Sequence, residues 1–163
     1  MNSPMETQLA ILLAGLKKKE AALAEIVNIT ENQRTVIESG IPFEEVRAFL
    51  LEMNKEKQPQ IDTVKGCDNM FEAMLKEIGA ELDARQHLYK PQVAQLQTFI
   101  RRVMDLDIKI RVLEEKNNEL LGALSPGAVA AQPQQGWKPK PRLLPPDNAR
   151  VIRAYEQEKR FRG

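Results

Sequence analysis

The chain of 163 residues contains one cysteine, one histidine and few aromatic residues, and each scarcity excludes a class of protein. Because Cys67 has no second cysteine to pair with, no internal disulfide can form, and a reducing compartment is expected. Aromatic residues make up only 5% of the chain, which disfavours a wide core built around a sheet. We therefore expect a cytoplasmic protein with a narrow, largely aliphatic core.

Motifs for catalysis and cofactor binding are also scarce. The eight glycines form neither a G-x-G-x-x-G pattern nor a lysine-bearing phosphate loop, so nucleotide binding has no support. Asp83 lies four residues before His87, as in an oriented general base, but no nucleophile has matching spacing, and an exposed pair near a helix end explains both residues. Ala84 occupies the position where a Glu-x-x-His metal site requires glutamate. We expect no enzymatic activity, no metal and no cofactor.

Long hydrophobic runs are absent as well. The most apolar run, residues 9–16, spans eight residues, and lysines 17–19 follow it where a signal peptide would have a small-residue cleavage site. A run of this length is too short to cross a membrane, so no stable membrane insertion is expected. The lysines themselves are typical of a solvated helix face.

What the chain does contain is apolar residues at helical spacing. Ser3, Pro4 and Glu6 form a capping box that predicts the start of a first helix over residues 4–38, and Gly40 predicts its end. The apolar seam of this helix falls at intervals of seven residues, as in a coiled coil. Its positions are Leu9, Leu16, Leu23, Thr30 and Ile37.

Two further helices are predicted, over residues 42–89 and 91–124, each opened by a proline that needs no hydrogen-bond donor there. Pro59 interrupts a polar stretch of the second helix, and we expect a kink or short break near it. Cys67 lies on the apolar face of the same helix and is expected in the core. Since the connections are short, neighbouring helices should run antiparallel. The predicted fold class is all-α, an elongated antiparallel three-helix bundle, similar to a coiled coil, over residues 3–124.

The composition changes after Leu124. Residues 125–146 contain six prolines and predict a flexible, solvated linker, and residues 147–163 predict a basic amphipathic tail that can end in a short helix. Residues 1–124 carry 16 Lys+Arg against 20 Asp+Glu, whereas residues 125–163 carry 8 against 3. The tail has apolar residues of types enriched at binding hot spots, so it is predicted either to fold back on the bundle or to bind another chain. These residues are Trp137, Leu143, Leu144, Val151, Ile152 and Tyr155.

Several segments of the predicted bundle resemble a known family. They are TENQR at 30–34, EKQ at 56–58 followed by Ile61 and Asp62, Asp68 with Phe71, and EEKNNELL at 114–121. With the long first helix, they make residues 5–124 similar to the FlgN-type flagellar export chaperones. The resemblance implies a small cytoplasmic chaperone of flagellar type III secretion without ATP use. Its partners would be hook-associated proteins as clients, bound at their C-terminal helical region, and the cytoplasmic domain of the export gate.

A three-helix bundle leaves a groove that an amphipathic helix of a client can fill. We place this groove on helix 3 together with part of helix 2. The residues of helix 3 expected to contact a client are Val103, Ile110, Leu113 and Leu120. In the tail, Tyr155 with Val151 and Ile152 is expected to contact the export gate or the bundle's own groove.

Two other functions fit the same residues. The chain could be a helical scaffold that associates with itself through its seams, with the tail as a linear binding motif, and a weak homodimer suits either interpretation. It could also be an adaptor whose basic tail binds nucleic acid or an anionic membrane, with Trp137 or Tyr155 stacking on bases. The acidic bundle and the small number of aromatic residues disfavour nucleic-acid binding.

Overall fold

The computed structural model describes residues 3–124, which form three long α-helices joined by short connections. Helix α1 spans Pro4–Ile37, α2 spans Phe43–Ala84 and α3 spans Lys90–Leu124. A short 3₁₀ helix, Gln86–Leu88, lies between α2 and α3. Within residues 3–124 there is no strand, so the predicted all-α three-helix bundle is confirmed. Residues 125–163, with the predicted linker and tail, lie outside the described residues.

The first helix begins and ends through the local interactions that its sequence predicts. The hydroxyl oxygen of Ser3 accepts a hydrogen bond from the backbone amide of Glu6 at 3.1 Å, which satisfies an otherwise free donor of the first turn. Gly40 has a φ of 81°, a left-handed conformation that a side chain would strain. This glycine lets the chain turn back toward α2 within a few residues.

The second helix differs from the sequence prediction at two points. It continues through Pro59, so the short break, one of the two forms of the prediction, is wrong, whereas the kink stays a prediction. Pro59 and Lys55 are both exposed, and water can reach the Lys55 carbonyl that loses its amide partner. It ends at Ala84 instead of residue 89, and the amides of Leu88 and Tyr89 then bond to carbonyls three residues back. His87 therefore lies outside the α-helix that contains Asp83. The prediction that these two residues form a pair one helical turn apart is wrong.

The described residues divide into two compact units. Unit 1 contains residues 3–20, 65–84 and 90–103 of the helices, and unit 2 contains residues 21–37, 43–64 and 104–124. Each unit thus joins one part of every helix, with the start of one helix beside the end of the next. Consecutive helices accordingly run antiparallel within each unit.

Unit 1 has an aliphatic core with Phe71 as its large ring. Leu9, Leu12, Leu75 and Leu82 are each at most 2% exposed. The predicted burial of Cys67 in this core is confirmed. At the unit's surface, Arg102 on α3 pairs with Glu20 on α1 at 2.5 Å and lies over the ring of Phe99.

Unit 2 contains a separate apolar cluster where α1 ends and α2 begins. Ile37, Val46, Leu50 and Leu121 are buried in it, and half-buried residues, Leu120 among them, pack against it. All five predicted seam positions of α1 are buried, two in unit 1 and three in unit 2. The period of seven thus identified the buried face of α1, including the polar Thr30.

Candidate functional site

The predicted client-binding residues of α3 are divided between the core and its margin. Val103 and Ile110 have no exposed surface, so their side chains fill the bundle's own core. Leu113 is half-buried, and Leu120 packs against the apolar cluster of unit 2. Val103 and Ile110 therefore do not line an open groove in this structure, because neither side chain is exposed.

A different face of α3 carries exposed apolar side chains. Met104, Ile108 and Val112 are 39%, 52% and 59% exposed and follow one another at intervals of four residues. This spacing places them along one side of the helix over about 12 Å. We call these three residues the α3 stripe, and all of them belong to unit 2.

Charged residues surround the α3 stripe. Asp105, Arg111 and Glu115 are exposed on the turns that carry it. On the neighbouring side of α3, Lys109 pairs with Glu31 of α1 at 3.6 Å. An apolar strip with a polar rim is the usual arrangement of a surface that binds another chain.

Behind this surface, unit 2 contains a buried layer of polar side chains. The ammonium group of Lys57 on α2 donates to Gln33 Oε1 on α1 and to Glu114 Oε1 on α3, both at 2.7 Å. Gln33 in turn donates to Asn54 Oδ1, and Asn117 Nδ2 donates to the backbone carbonyl of Thr30 at 3.0 Å. The layer therefore joins all three helices, and we call its members the polar layer: Thr30, Gln33, Asn54, Lys57, Glu114 and Asn117.

Sequence reasoning missed the polar layer as a unit. Thr30 is one of the predicted seam positions of α1, but Lys57 lies in the polar stretch around Pro59, for which no core contact was predicted. The sequence did contain a signal for the polar layer, namely a polar residue at a position where the apolar repeat predicts a buried side chain. Asn117, seven residues after Ile110, is the clearest case, since it is only 3% exposed.

Unit 1 has a buried ion pair of its own. Lys19 Nζ lies 2.5 Å from Asp68 Oδ1, and Lys19 is only 2% exposed. The prediction that lysines 17–19 form a solvated face is thus wrong for Lys19, although Lys17 and Lys18 are exposed. A helix of period 3.6 turns the third lysine inward, one turn after Leu16.

Cys67 lies beside this ion pair at a small pocket that Gly15, Leu16 and Phe71 also line. Burial raises the pKa of the Cys67 thiol, the ammonium groups of Lys18 and Lys19 lower it, and the Asp68 carboxylate raises it. A raised pKa keeps the thiol protonated and unreactive. This agrees with a core residue and gives no support for a nucleophile.

Residues 3–124 also lack a metal-binding group and a membrane span. Within residues 3–124, no group of three or more His, Cys, Asp or Glu side chains is placed to hold a metal ion. None of the described helices combines the length and the apolar character that crossing a membrane requires. The predicted tail contacts, Trp137, Leu143, Leu144, Val151, Ile152 and Tyr155, lie outside the described residues.

No family model, curated protein or solved structure matches the chain. Its function must accordingly be argued from its own residues.

Proposed function

We propose that this protein binds an amphipathic helix of another chain on the α3 stripe and acts as a cytoplasmic flagellar export chaperone of the FlgN type. The observation that carries the proposal is the row of exposed apolar side chains Met104, Ile108 and Val112 within a charged rim. The resemblance of residues 5–124 to that family supports the choice of client. The client is the C-terminal helical region of a hook-associated protein, which the chaperone shields before export.

The physical basis is burial of apolar surface on both partners. A client helix lying along the α3 stripe would cover three large side chains, at about 25 cal/mol for each Å² removed from water, less the cost of ordering the client. Residues at intervals of three and four on the client would contact the stripe, as in other helix-in-groove complexes. This gives moderate affinity, which suits a chaperone that must release its client.

The proposal assigns the tail a second contact and assigns the protein no catalytic step. Val151, Ile152 and Tyr155 would bind either the cytoplasmic domain of the export gate or the bundle itself. Deletion of residues 125–163 separates these roles through the affinity for the client. Higher affinity indicates a tail that covers the client site, and lower affinity indicates a tail that grips the client. Unchanged affinity excludes both of these effects and leaves the export gate as the proposed contact of the tail.

The test uses matched isoleucine substitutions. We expect Ile108→Glu to weaken binding of a hook-associated C-terminal helical peptide at least tenfold in isothermal titration calorimetry, because a carboxylate replaces the centre of the stripe. Ile11→Glu is the control, since Ile11 is an isoleucine of α1 with 43% exposure against 52% for Ile108. It should leave the affinity unchanged.

Circular dichroism and thermal unfolding of both variants check that the helices remain folded. Equal affinity of wild type and Ile108→Glu would contradict binding at the stripe. Absence of any binding by the wild-type chain would contradict the chaperone function itself.

The α3 stripe also suits a self-associating scaffold, because a second copy could bury the same residues. Sedimentation equilibrium distinguishes the two functions. A chaperone should be a monomer or weak dimer that gains one peptide, whereas a scaffold should form stable oligomers that Ile108→Glu dissociates.

A further inference from the structure

The polar layer of unit 2 contains two acceptors that its own side chains leave without a donor. Glu114 Oε2 and Asn117 Oδ1 are buried and have no hydrogen-bond partner among the described residues. Glu114 is 7% and Asn117 3% exposed. Native proteins rarely leave such atoms unsatisfied, because each has lost its hydrogen bonds to bulk water.

The two acceptors lie close together along the chain and face the same layer. Glu114 and Asn117 are three residues apart on α3, which places them one turn apart on one face. The other atom of each side chain is already bonded within the layer: Glu114 Oε1 to Lys57, and Asn117 Nδ2 to Thr30. Each of the two side chains is therefore held in place by the hydrogen bond of its other polar atom.

The ammonium hydrogens of Lys57 and the two unpartnered acceptors show which hydrogen bonds would complete the polar layer. Two of the three ammonium protons of Lys57 bond to Gln33 and Glu114, which leaves one for a further acceptor. The two free acceptors need two hydrogens. A single group that completes the layer would thus donate twice, to these two acceptors, and accept once, from Lys57.

The charge of the layer restricts the chemical class of this group. Lys57 and Glu114 form an ion pair at 2.7 Å, with side chains only 3% and 9% exposed, so the layer is already neutral. A bound ammonium or metal ion would add an uncompensated buried charge. A neutral Glu114 carboxyl group could donate to Asn117, but it would leave Lys57 as the uncompensated charge.

We propose that the polar layer binds one internal water molecule, which donates to Glu114 Oε2 and Asn117 Oδ1 and accepts from Lys57 Nζ. Three hydrogen bonds are typical of buried water in proteins. The water connects α3 to α2 directly and to α1 through Gln33 and Thr30. A completed layer of this kind fixes the height at which the three helices pack.

The experiment is water-to-protein magnetisation transfer in the full-length, ¹⁵N,¹³C-labelled chain. We expect cross peaks between the water resonance and the side-chain amide protons of Asn117, with the sign of a water that resides for longer than about a nanosecond. The Thr30→Val variant is the control for transfer relayed through the Thr30 hydroxyl, and it should retain these peaks. In Asn117→Leu, the cross peaks from water to the backbone amides of residues 114 and 117 should be lost.

Two results would overturn the proposal. One is the absence of water cross peaks at Asn117 in the folded wild-type chain, whatever the variants do. The other is a Glu114 side-chain carboxyl ¹³C shift characteristic of a neutral acid, because the carboxyl would then supply the missing hydrogen itself. Neither measurement uses a client, so the result is independent of the proposed chaperone function.

Discussion

Lys19 and Lys57 are each only 2% exposed, and each has a carboxylate partner on another helix. Removing an ammonium group from water costs several kcal/mol, and a paired carboxylate with further hydrogen bonds offsets much of this cost. The pair as a whole therefore adds little stability. Loss of one partner is expected to be far more damaging than loss of both.

This asymmetry gives a prediction for unit 1. Asp68→Ala should lower the free energy of unfolding by about 3–5 kcal/mol, because Lys19 is left buried without its carboxylate. The double variant Lys19→Met, Asp68→Leu should recover most of this loss. Urea unfolding followed by circular dichroism measures both.

An exposed pair provides the control for the buried one. Glu52 lies 3.0 Å from Lys55, with side chains 70% and 74% exposed. Glu52→Ala should change the free energy of unfolding by less than about 1 kcal/mol. A loss for Asp68→Ala as small as this would show that Lys19 reaches solvent in solution.

At the scale of the element, the stability of the helices and of the turns between them depends on a few positions where the backbone conformation decides which residue fits. Gly40, between α1 and α2, has a positive φ, whereas Gly66 lies in the interior of α2 with nothing within 4 Å of the position of an added Cβ atom. The same substitution should therefore have opposite effects at the two sites. Glycine is needed at the turn but only weakens the helix.

The corresponding prediction concerns two alanine variants. Gly66→Ala should raise the free energy of unfolding by about 1 kcal/mol, since alanine is the better helix former. Gly40→Ala should lower it by about 1 kcal/mol, because a side chain is strained at positive φ. Thermal unfolding checks both, and a gain in stability for Gly40→Ala would contradict the observed turn.

At the scale of the whole molecule, the question is whether binding depends on charge or on apolar contact. The chain has a formal net charge of only +1, although its charge is unevenly distributed. The proposed recognition uses the apolar α3 stripe, whereas a nucleic-acid adaptor would use the basic residues 125–163. Salt screens the charges that nucleic-acid binding would use, whereas binding through apolar contact is largely unchanged.

The prediction is that affinity for the hook-associated peptide changes less than about tenfold between 0.1 and 1 M NaCl, because screening hardly affects apolar contact. Fluorescence anisotropy with a labelled peptide measures this. A labelled single-stranded oligonucleotide is the comparison, since binding through several phosphates falls steeply with salt. Tight, salt-sensitive oligonucleotide binding with weak peptide binding would favour the adaptor.

What the sequence determined by itself was local. The capping residues around Ser3 and Gly40, the apolar period of α1 and the prolines that open the next two helices predicted three helices, because caps and periodicity depend only on neighbours in the chain. The end of α2 was not determined in this way. This helix ends five residues before the predicted residue 89, and the 3₁₀ helix Gln86–Leu88 takes the place of its expected last turn. Competition between helix and turn at such a site depends on how the next helix packs.

Only the tertiary structure decided which apolar residues face solvent and which polar ones do not. Val103 and Met104 are adjacent on α3, yet one fills the core and the other is 39% exposed. Lys57 and Asn117 are buried, and each hydrogen-bonds to partners 24 to 87 residues away along the chain. The periodicity of one helix defines a face, but it cannot specify how much of that face two other helices cover, and that coverage places the α3 stripe and the polar layer.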